Sequence, residues 1–253
     1  MIKSVAIIGC GPSSLAAAWA AEGLGCGVTI FAPKRRSPLR GPIFLHRAIP
    51  GITLSHPDGY VKQMVLGGTW MDYRRKLYGN VNVPLKDYAG MESYHAWKMY
   101  ETYDRLWEIY KSRINDLFMT PELLAQMLKT DTFDLIINTA PAPTFCRDHL
   151  HHRFNRAEVA ITNMASYPDQ QDNTVVYNAQ PEDNWVRSSI IFGQAATEYR
   201  VDDCPKGAQI IKKPISNDCD CFPTVFRTGR FGAWSNETWV DTAYYDTRTA
   251  ILS

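Results

Sequence analysis

The apolar positions along the chain change period several times, and each change predicts an element. Residues 5–8 form an uninterrupted apolar run, the pattern of a strand buried on both faces. Gly9-Cys10-Gly11-Pro12-Ser13-Ser14 follows at once, and the Ala-rich stretch 15–22 after it has helix-forming composition. Gly23, Gly25 and Gly27 end that helix, and residues 28–31, Val-Thr-Ile-Phe, form a second buried strand. Strand, turn, helix and strand make a βαβ unit of about 30 residues, the building block of a parallel sheet.

The next stretch, 34–50, is rich in Pro, Gly and Arg and is expected to be irregular, with a strand at 61–66 and a helix at 71–77 beyond it. From 94 to 114 the residues Ala96, Met99, Tyr100, Tyr103, Leu106, Trp107 and Tyr110 recur every three or four positions. That spacing predicts one amphipathic helix, its aromatic stripe serving as core rather than as a ligand platform. Thr120-Pro121-Glu122 supplies an N-cap and an N1 proline for a helix to 128, and 133–138 is another buried strand. Alternating or β-branched runs at 159–164, 174–178, 186–192 and 208–212 then predict an antiparallel sheet. A glycine turn, Gly229-Arg230-Phe231-Gly232, and a closing helix from Val240 to Leu252 complete the chain. The expected class is α/β: a Rossmann-like parallel sheet with a β-rich antiparallel insertion and a short helical segment.

Composition narrows the possibilities. With 253 residues, 45% of them apolar, the chain can bury a large core. Its 27 Lys and Arg against 26 Asp and Glu argue against a general nucleic-acid or membrane-surface binder. No apolar run approaches the roughly 20 residues that span a bilayer. The opening Met-Ile-Lys-Ser-Val-Ala-Ile-Ile runs straight into glycines and does not resemble a signal peptide, so the cytoplasm is the expected compartment. The six cysteines are too scattered for a disulfide scaffold, and reduced thiols are expected. Cys219-Asp220-Cys221 with Cys204, or Cys146 with His149, His151 and His152, would offer metal ligands. One Cys-x-Cys lacks the paired Cys-x-x-Cys knuckles of a structural zinc site, however, so no metal is expected.

The glycine turn carries the clearest chemistry. Gly9, Gly11 and Ser14 occupy the three positions of the dinucleotide fingerprint, with small Ala18 where helix and sheet approach. The first glycine permits the tight turn, the second admits a pyrophosphate to the backbone, and Pro12 and Ser13 open the helix whose N-terminus attracts the anion. The plain alternative is a strand-helix turn with no ligand. The second strand ends in Ala32 where the fingerprint has an acidic residue, and Lys34, Arg35 and Arg36 follow. Those cations suit a cofactor phosphate, the 2′-phosphate of NADP, or a solvated loop. No Ser-His-Asp spacing or close carboxylate pair supports a hydrolase.

Further segments resemble, in order, those of UDP-galactopyranose mutase and related amine-oxidase-like flavoproteins. Gly9 to Leu15 resembles the family's FAD turn, and Gly41-Pro42-Ile43-Phe44-Leu45-His46 is similar to its segment beside the flavin ring. Tyr73 to Gly79 resembles its Lys-aromatic-Trp-Gly segment, Asp134 to Pro141 its strand ending in Thr-Gly-Pro, and Trp185-Val186-Arg187 its Tyr-Thr-Arg. The stretch from Phe226 to Trp234, then Thr238 to Asp241, resembles its C-terminal flavin-binding segment.

The resemblance implies an FAD-dependent oxidoreductase acting on an amine, amino-acid-like or sugar-derived group. Gly9, Gly11, Pro12, Ser13 and Ser14 would cradle the ADP phosphates, with Lys34, Arg35 and Arg36 alongside. Gly41, Pro42, Ile43 and His46 would lie near the flavin ring, Thr139 and Ala140 beside the adenine half, Arg230 and Gly232 at the pyrophosphate, and Trp239 and Val240 at the ring. His46 and Arg187 are the candidate catalytic residues. The implied organisation is one body over 1–253, with 1–58, 114–145 and 222–253 as the cofactor core and 59–113 and 146–221 as substrate-side insertions. Little sequence remains for the family's helical sugar-nucleotide domain, so mutase activity itself is not expected. Three alternatives stay open: an NADP-dependent reductase, a non-catalytic FAD-binding module, and a flavoenzyme acting on modified thymidine in DNA. For the last, the basic clusters Arg35, Arg36, Arg40, Arg47 and Arg74, Arg75, Lys76 would follow a phosphate backbone. The expected partner is a small molecule or a modified nucleotide.

Overall fold

A computed structural model describes residues 2–79 and 93–253. In chain order the first elements are β1 (Ser4–Ile8), α1 (Pro12–Glu22), β2 (Gly27–Ala32), β3 (Phe44–Leu45), β4 (Gly59–Leu66), α2 (Trp70–Tyr78), β5 (Ser93–Lys98), α3 (Met99–Tyr110), β6 (Ile114–Asp116), α4 (Pro121–Lys129) and β7 (Leu135–Asn138). There follow β8 (Phe154–Thr162), β9 (Thr174–Asn178), β10 (Trp185–Ile191), β11 (Gln194–Arg200), β12 (Gln209–Asn217), β13 (Phe226–Arg227), α5 (Gly229–Gly232) and α6 (Val240–Leu252). They form two units, one of residues 1–38, 101–155 and 216–253, the other of 39–100 and 156–215. The division falls differently from the one implied by the sequence. Nearly all of α3 belongs with the glycine turn, and residues 39–58, assigned above to the cofactor core, belong to the second unit.

The first unit holds a five-stranded sheet in the order β13-β7-β1-β2-β6, every pairing parallel. This is the Rossmann-like arrangement expected from the βαβ pattern. Small side chains explain the close fit of α1: Ala16, Ala17, Ala18, Ala20 and Ala21 are all fully buried, and α6 packs along it. Ala6, Ile8, Ile136, Met119, Leu124, Phe145, Phe222 and Val225 form a core within this unit.

The second unit contributes most of an eight-stranded mixed sheet in the order β12-β8-β11-β10-β9-β4-β5-β3. The helix expected over 94–114 is divided, because β5 pairs antiparallel with β4, Ala96 lying opposite Gly59. The Asp58 carboxylate accepts the Lys98 N–H at 2.9 Å and ends the ladder there. Over these few residues an apolar run satisfies either period, and pairing with a distant strand decides. The stripe itself is core, as expected: Tyr103, Leu106 and Tyr110 are fully buried on α3.

β11, Gln-Ala-Ala-Thr-Glu-Tyr-Arg, lacks a strand-like sequence, and its ladders with β10 and β8 impose the conformation. Phe192 and Gly193, with φ of 50° and 75°, turn the chain from β10 into β11 in the positive-φ geometry that suits a two-residue hairpin. Among the described residues no helix is long and apolar enough to cross a membrane.

Candidate functional site

At the C-terminal edge of the parallel sheet, β1 runs through Gly9 into α1. Gly9 has φ +116°, and its N–H is held by the Phe31 carbonyl at 2.9 Å. A Cβ on Gly9 would lie 2.7 Å from Thr139 Oγ1 and 2.8 Å from Ser14 Oγ, so only glycine fits. Those two hydroxyls are hydrogen-bonded to each other, and Thr139 Oγ1 also donates to the Ile8 carbonyl at 3.0 Å. Ser14 therefore does more than fill the third fingerprint position: it ties the glycine turn to the end of β7. Ala140 follows, its N–H held by Asn138 Oδ1 at 3.0 Å.

The start of α1 is suited to an anion. Gly11 is its N-cap, Pro12 and Ser13 lie in its first turn, and the helix has neither a side-chain cap nor an acidic first-turn residue. A Cβ at Gly11 would meet only Ser37 Oγ, at 3.8 Å, so the space beside this glycine is open. The helix dipole and first-turn N–H groups are therefore not engaged by a capping side chain or an acidic residue of α1 itself.

The segment after β2 is fastened beside this turn by Tyr103. Its hydroxyl accepts the Ser37 N–H at 3.1 Å and donates to the Cys10 carbonyl at 3.3 Å. Burial raises the pKa of Tyr103, so the phenol stays neutral and able to donate. Ala32 is buried, as an apolar residue there must be, and the strand residue opposite it is Asp116. The Asp116 carboxylate accepts the Lys34 N–H at 3.0 Å, placing an acidic group on the adjacent strand where the fingerprint residue is missing. Arg36 is ion-paired with Asp104 and lies over the Tyr103 ring. That pairing commits one of the three cations an NADP 2′-phosphate would use.

The C-terminal segment reaches the same turn. Gly229 has φ +69°, and a Cβ there would lie 2.5 Å from Ser13 Cβ. A Cβ on Gly232 would lie 2.2 Å from the Asn138 carbonyl oxygen. The two glycines let α5, which carries Arg230, settle onto the ends of α1 and β7. Thr228 Oγ1 donates to Asp246 at 2.9 Å, pinning the turn to α6, whose N-cap is Trp239 and first residue Val240. Gly9, Gly11, Pro12, Ser13, Ser14, Thr139, Ala140, Arg230 and Gly232 are thus gathered in one unit, from opposite ends of the chain.

Lys34, Arg35, Arg36, Trp239 and Val240 also lie in that unit, whereas Gly41, Pro42, Ile43, His46 and Arg187 belong to the second. Gly41 has φ +69° with its carbonyl held by Tyr100 at 3.0 Å, and Pro42 and Ile43 lead from it into β3. His46 follows β3, its ring 4.5 Å from Phe44 and 6.2 Å from Tyr94 between centroids. Burial pushes the Tyr94 phenol up to about 12.

Arg187 is ion-paired with Glu198, which is also paired with Lys213. Burial opposes the Arg187 charge most strongly, but the Glu198 carboxylate together with Tyr177 and Tyr73 outweighs it and raises the guanidinium pKa. Tyr73 and Tyr177, both pushed up by burial, stay neutral beside it. The trio carries a formal +1, fixed by a carboxylate whose side chain is only 2% exposed. Glu198 and Lys213 carry no signal in the sequence: Gln-Ala-Ala-Thr-Glu-Tyr-Arg is not strand-like, and only the ladder puts Glu198 opposite Arg187. Of the second basic cluster, Arg75 pairs with Asp72, and Lys76 donates to the Gln180 and Trp185 carbonyls at 2.6 and 2.8 Å.

Two pairs that the sequence placed in separate candidate groups, Cys146 with His152 and Cys219 with Cys221, stand together in the first unit. The ligand atoms of Cys146, His152, Cys219 and Cys221 all lie within 4.8 Å of one another. The sequence grouped them differently, with Cys204 among the candidates, and Cys204 is not in the cluster.

No protein-family model matches the sequence, and no curated protein matches it. Solved structures match in shape. Reduced UDP-galactopyranose mutase aligns with TM-score 0.55 at 10% identity, over 99% of this chain and 95% of its own. A tetrameric 2-methyl-3-hydroxypyridine-5-carboxylic acid oxygenase gives 0.53 at 12% identity, over 99% and 87%. CmlS, a flavin-dependent halogenase, gives 0.52 at 15% identity, over 99% and 57%. At these identities the likeness shows the fold, a Rossmann-type α/β fold used by flavin-dependent enzymes.

Proposed function

We propose that this chain is a small FAD-dependent oxidoreductase acting on an amine, amino-acid-like or sugar-derived group. The observation that carries the reading is the packing of the Gly229–Gly232 turn onto Ser13 and the end of β7, around an uncapped α1 N-terminus with open space at Gly11. A strand-helix turn with no ligand has no need of a second glycine segment brought from the far end of the chain.

Bound there, FAD supplies hydride or electron transfer, while the protein supplies position, charge and exclusion of water. Gly9, Gly11, Pro12, Ser13 and Ser14 hold the diphosphate through backbone N–H groups and the α1 dipole. Lys34, Arg35 and Arg230 add positive charge, and Thr139 and Ala140 border the adenine half. Asp116 takes the ribose role that Ala32 cannot fill. By the family resemblance Trp239 and Val240 would lie at the ring, and His46 would supply a proton donor or acceptor to the substrate. Arg187, held rigid by Glu198, offers a fixed cation to a substrate carboxylate or phosphate.

Purified protein should show flavin absorption bands and release FAD, identified by mass, on denaturation. An amine, amino-acid or sugar substrate should bleach those bands under anaerobic conditions. A folded, colourless protein that takes up no FAD on reconstitution would overturn the reading.

A further inference from the structure

We propose that Cys146, His152, Cys219 and Cys221 bind one zinc ion as a closed Cys3His site. The Cys146 and Cys221 sulfurs lie 3.4 and 3.6 Å from His152 Nδ1. Tetrahedral zinc, with bonds of about 2.0 Å to nitrogen and 2.3 Å to sulfur, spaces its ligand atoms by about 3.5–3.8 Å. The edges to His152 already have that length. All the ligand atoms lie within 4.8 Å of one another, so no pair would have to close by more than about 1 Å on binding the ion. Three thiolates and an imidazole in tetrahedral array select a thiophilic ion, zinc being the one that closed Cys3His sites hold, and four protein ligands leave no open position for catalysis.

The surroundings match what such an ion requires. His152 turns Nδ1 to the sulfurs and Nε2 to the Asp220 carboxylate at 3.2 Å, the arrangement that fixes the tautomer and orientation of a ligating histidine. The Arg147 N–H donates to Cys221 Sγ at 3.3 Å, and Arg227 donates to the Cys219 carbonyl at 2.8 Å. A zinc ion with three thiolates carries a net −1, which Arg227 offsets. The His152 backbone N–H is itself held by the Asp148 carbonyl at 3.0 Å, so a formed turn presents the ring.

His152 and Cys221 are 69 residues apart in sequence. The chain leaves the first unit after Asn155 and returns to it at Ser216, so the ion would join the outgoing and returning segments of that unit. Phe145 and Phe222, next to two of the ligands, pack into the core with Ile8, and Ala140 packs against it. The ion therefore anchors the floor beneath the glycine turn, a structural role separate from the redox reading.

Metal analysis of the full-length protein, purified under reducing conditions, should find one zinc per chain. Cobalt replacing it should give tetrahedral d–d bands and sulfur-to-metal charge transfer of three thiolates. Cys219→Ser should lose the ion and Cys204→Ser should keep it. Should Cys219→Ser fail to fold, Asp220→Asn, which retains all four ligands, should weaken zinc 10–100-fold in competition with a chromophoric chelator. A folded, reduced protein that contains no zinc and takes up no cobalt would overturn the proposal. So would iron at one equivalent, zinc retained in Cys219→Ser, unaltered zinc affinity in Asp220→Asn, or a disulfide among the three cysteines of freshly isolated protein.

Discussion

At the scale of single residues, two positions concentrate the constraint. Gly9→Ala places a Cβ 2.7 Å from Thr139 Oγ1 at φ +116°. It should cost about 1–3 kcal/mol of stability and lower FAD occupancy, both measurable by denaturant titration of the purified variant with its flavin content. The fingerprint marked this glycine. Glu198 is the opposite case, with nothing in Gln-Ala-Ala-Thr-Glu-Tyr-Arg to set it apart. Its removal leaves Arg187 and Lys213 without their shared carboxylate in a largely buried setting. Glu198→Ala should therefore cost about 3 kcal/mol, the lower part of the range for a broken buried pair because the Arg187 side chain keeps 26% exposure. A much smaller loss in urea unfolding would show that the trio is not a structural unit.

At the scale of elements, the parallel sheet is closed at its base by Asp134. Its carboxylate accepts the Lys3 and Ser4 backbone N–H groups, each at 2.8 Å, joining the entries of β7 and β1. Those donors, with the Ser4 hydroxyl, hold the carboxyl below the usual aspartate range. Its contribution is complete above the ordinary aspartate pKa of about 3.9 and disappears as pH falls through the lower folded value. Asp134→Ala should be less stable at neutral pH and lose less stability on acidification, as read from urea midpoints across pH. α2 depends instead on a local device: Thr69 and Asp72 form a reciprocal capping box, with Asp72 accepting the Thr69 N–H at 2.9 Å. Thr69→Ala should cost about 1 kcal/mol by thermal unfolding. The helices at 71–77 and 121–128 and the buried strands were legible because period and caps lie within one element. The division of 94–114 into β5 and α3 was not, because it depends on β4, more than thirty residues earlier.

At the scale of the whole molecule, cofactor binding and folding are linked. FAD at 100 times its Kd should stabilise the protein by about 2.7 kcal/mol through mass action, seen as a rise in Tm with FAD concentration. The glycine turn is one edge of that site, and the residues around it come from β7, α3, α5 and α6, whose arrival no local pattern announces.

Local patterning therefore encodes the βαβ unit, the glycine turn, the α/β class and the terminal helix, each set by neighbours within about 30 residues. The tertiary structure alone decided the rest. It placed Gly232 against Asn138 and Asp116 opposite Ala32. It brought Glu198 to Arg187 and drew Cys146, His152, Cys219 and Cys221 into one cluster while leaving Cys204 out. The physical reason is common to all of these: each depends on strand pairing or packing between segments remote in sequence. Such contacts form only when the core and the ladders have fixed both partners.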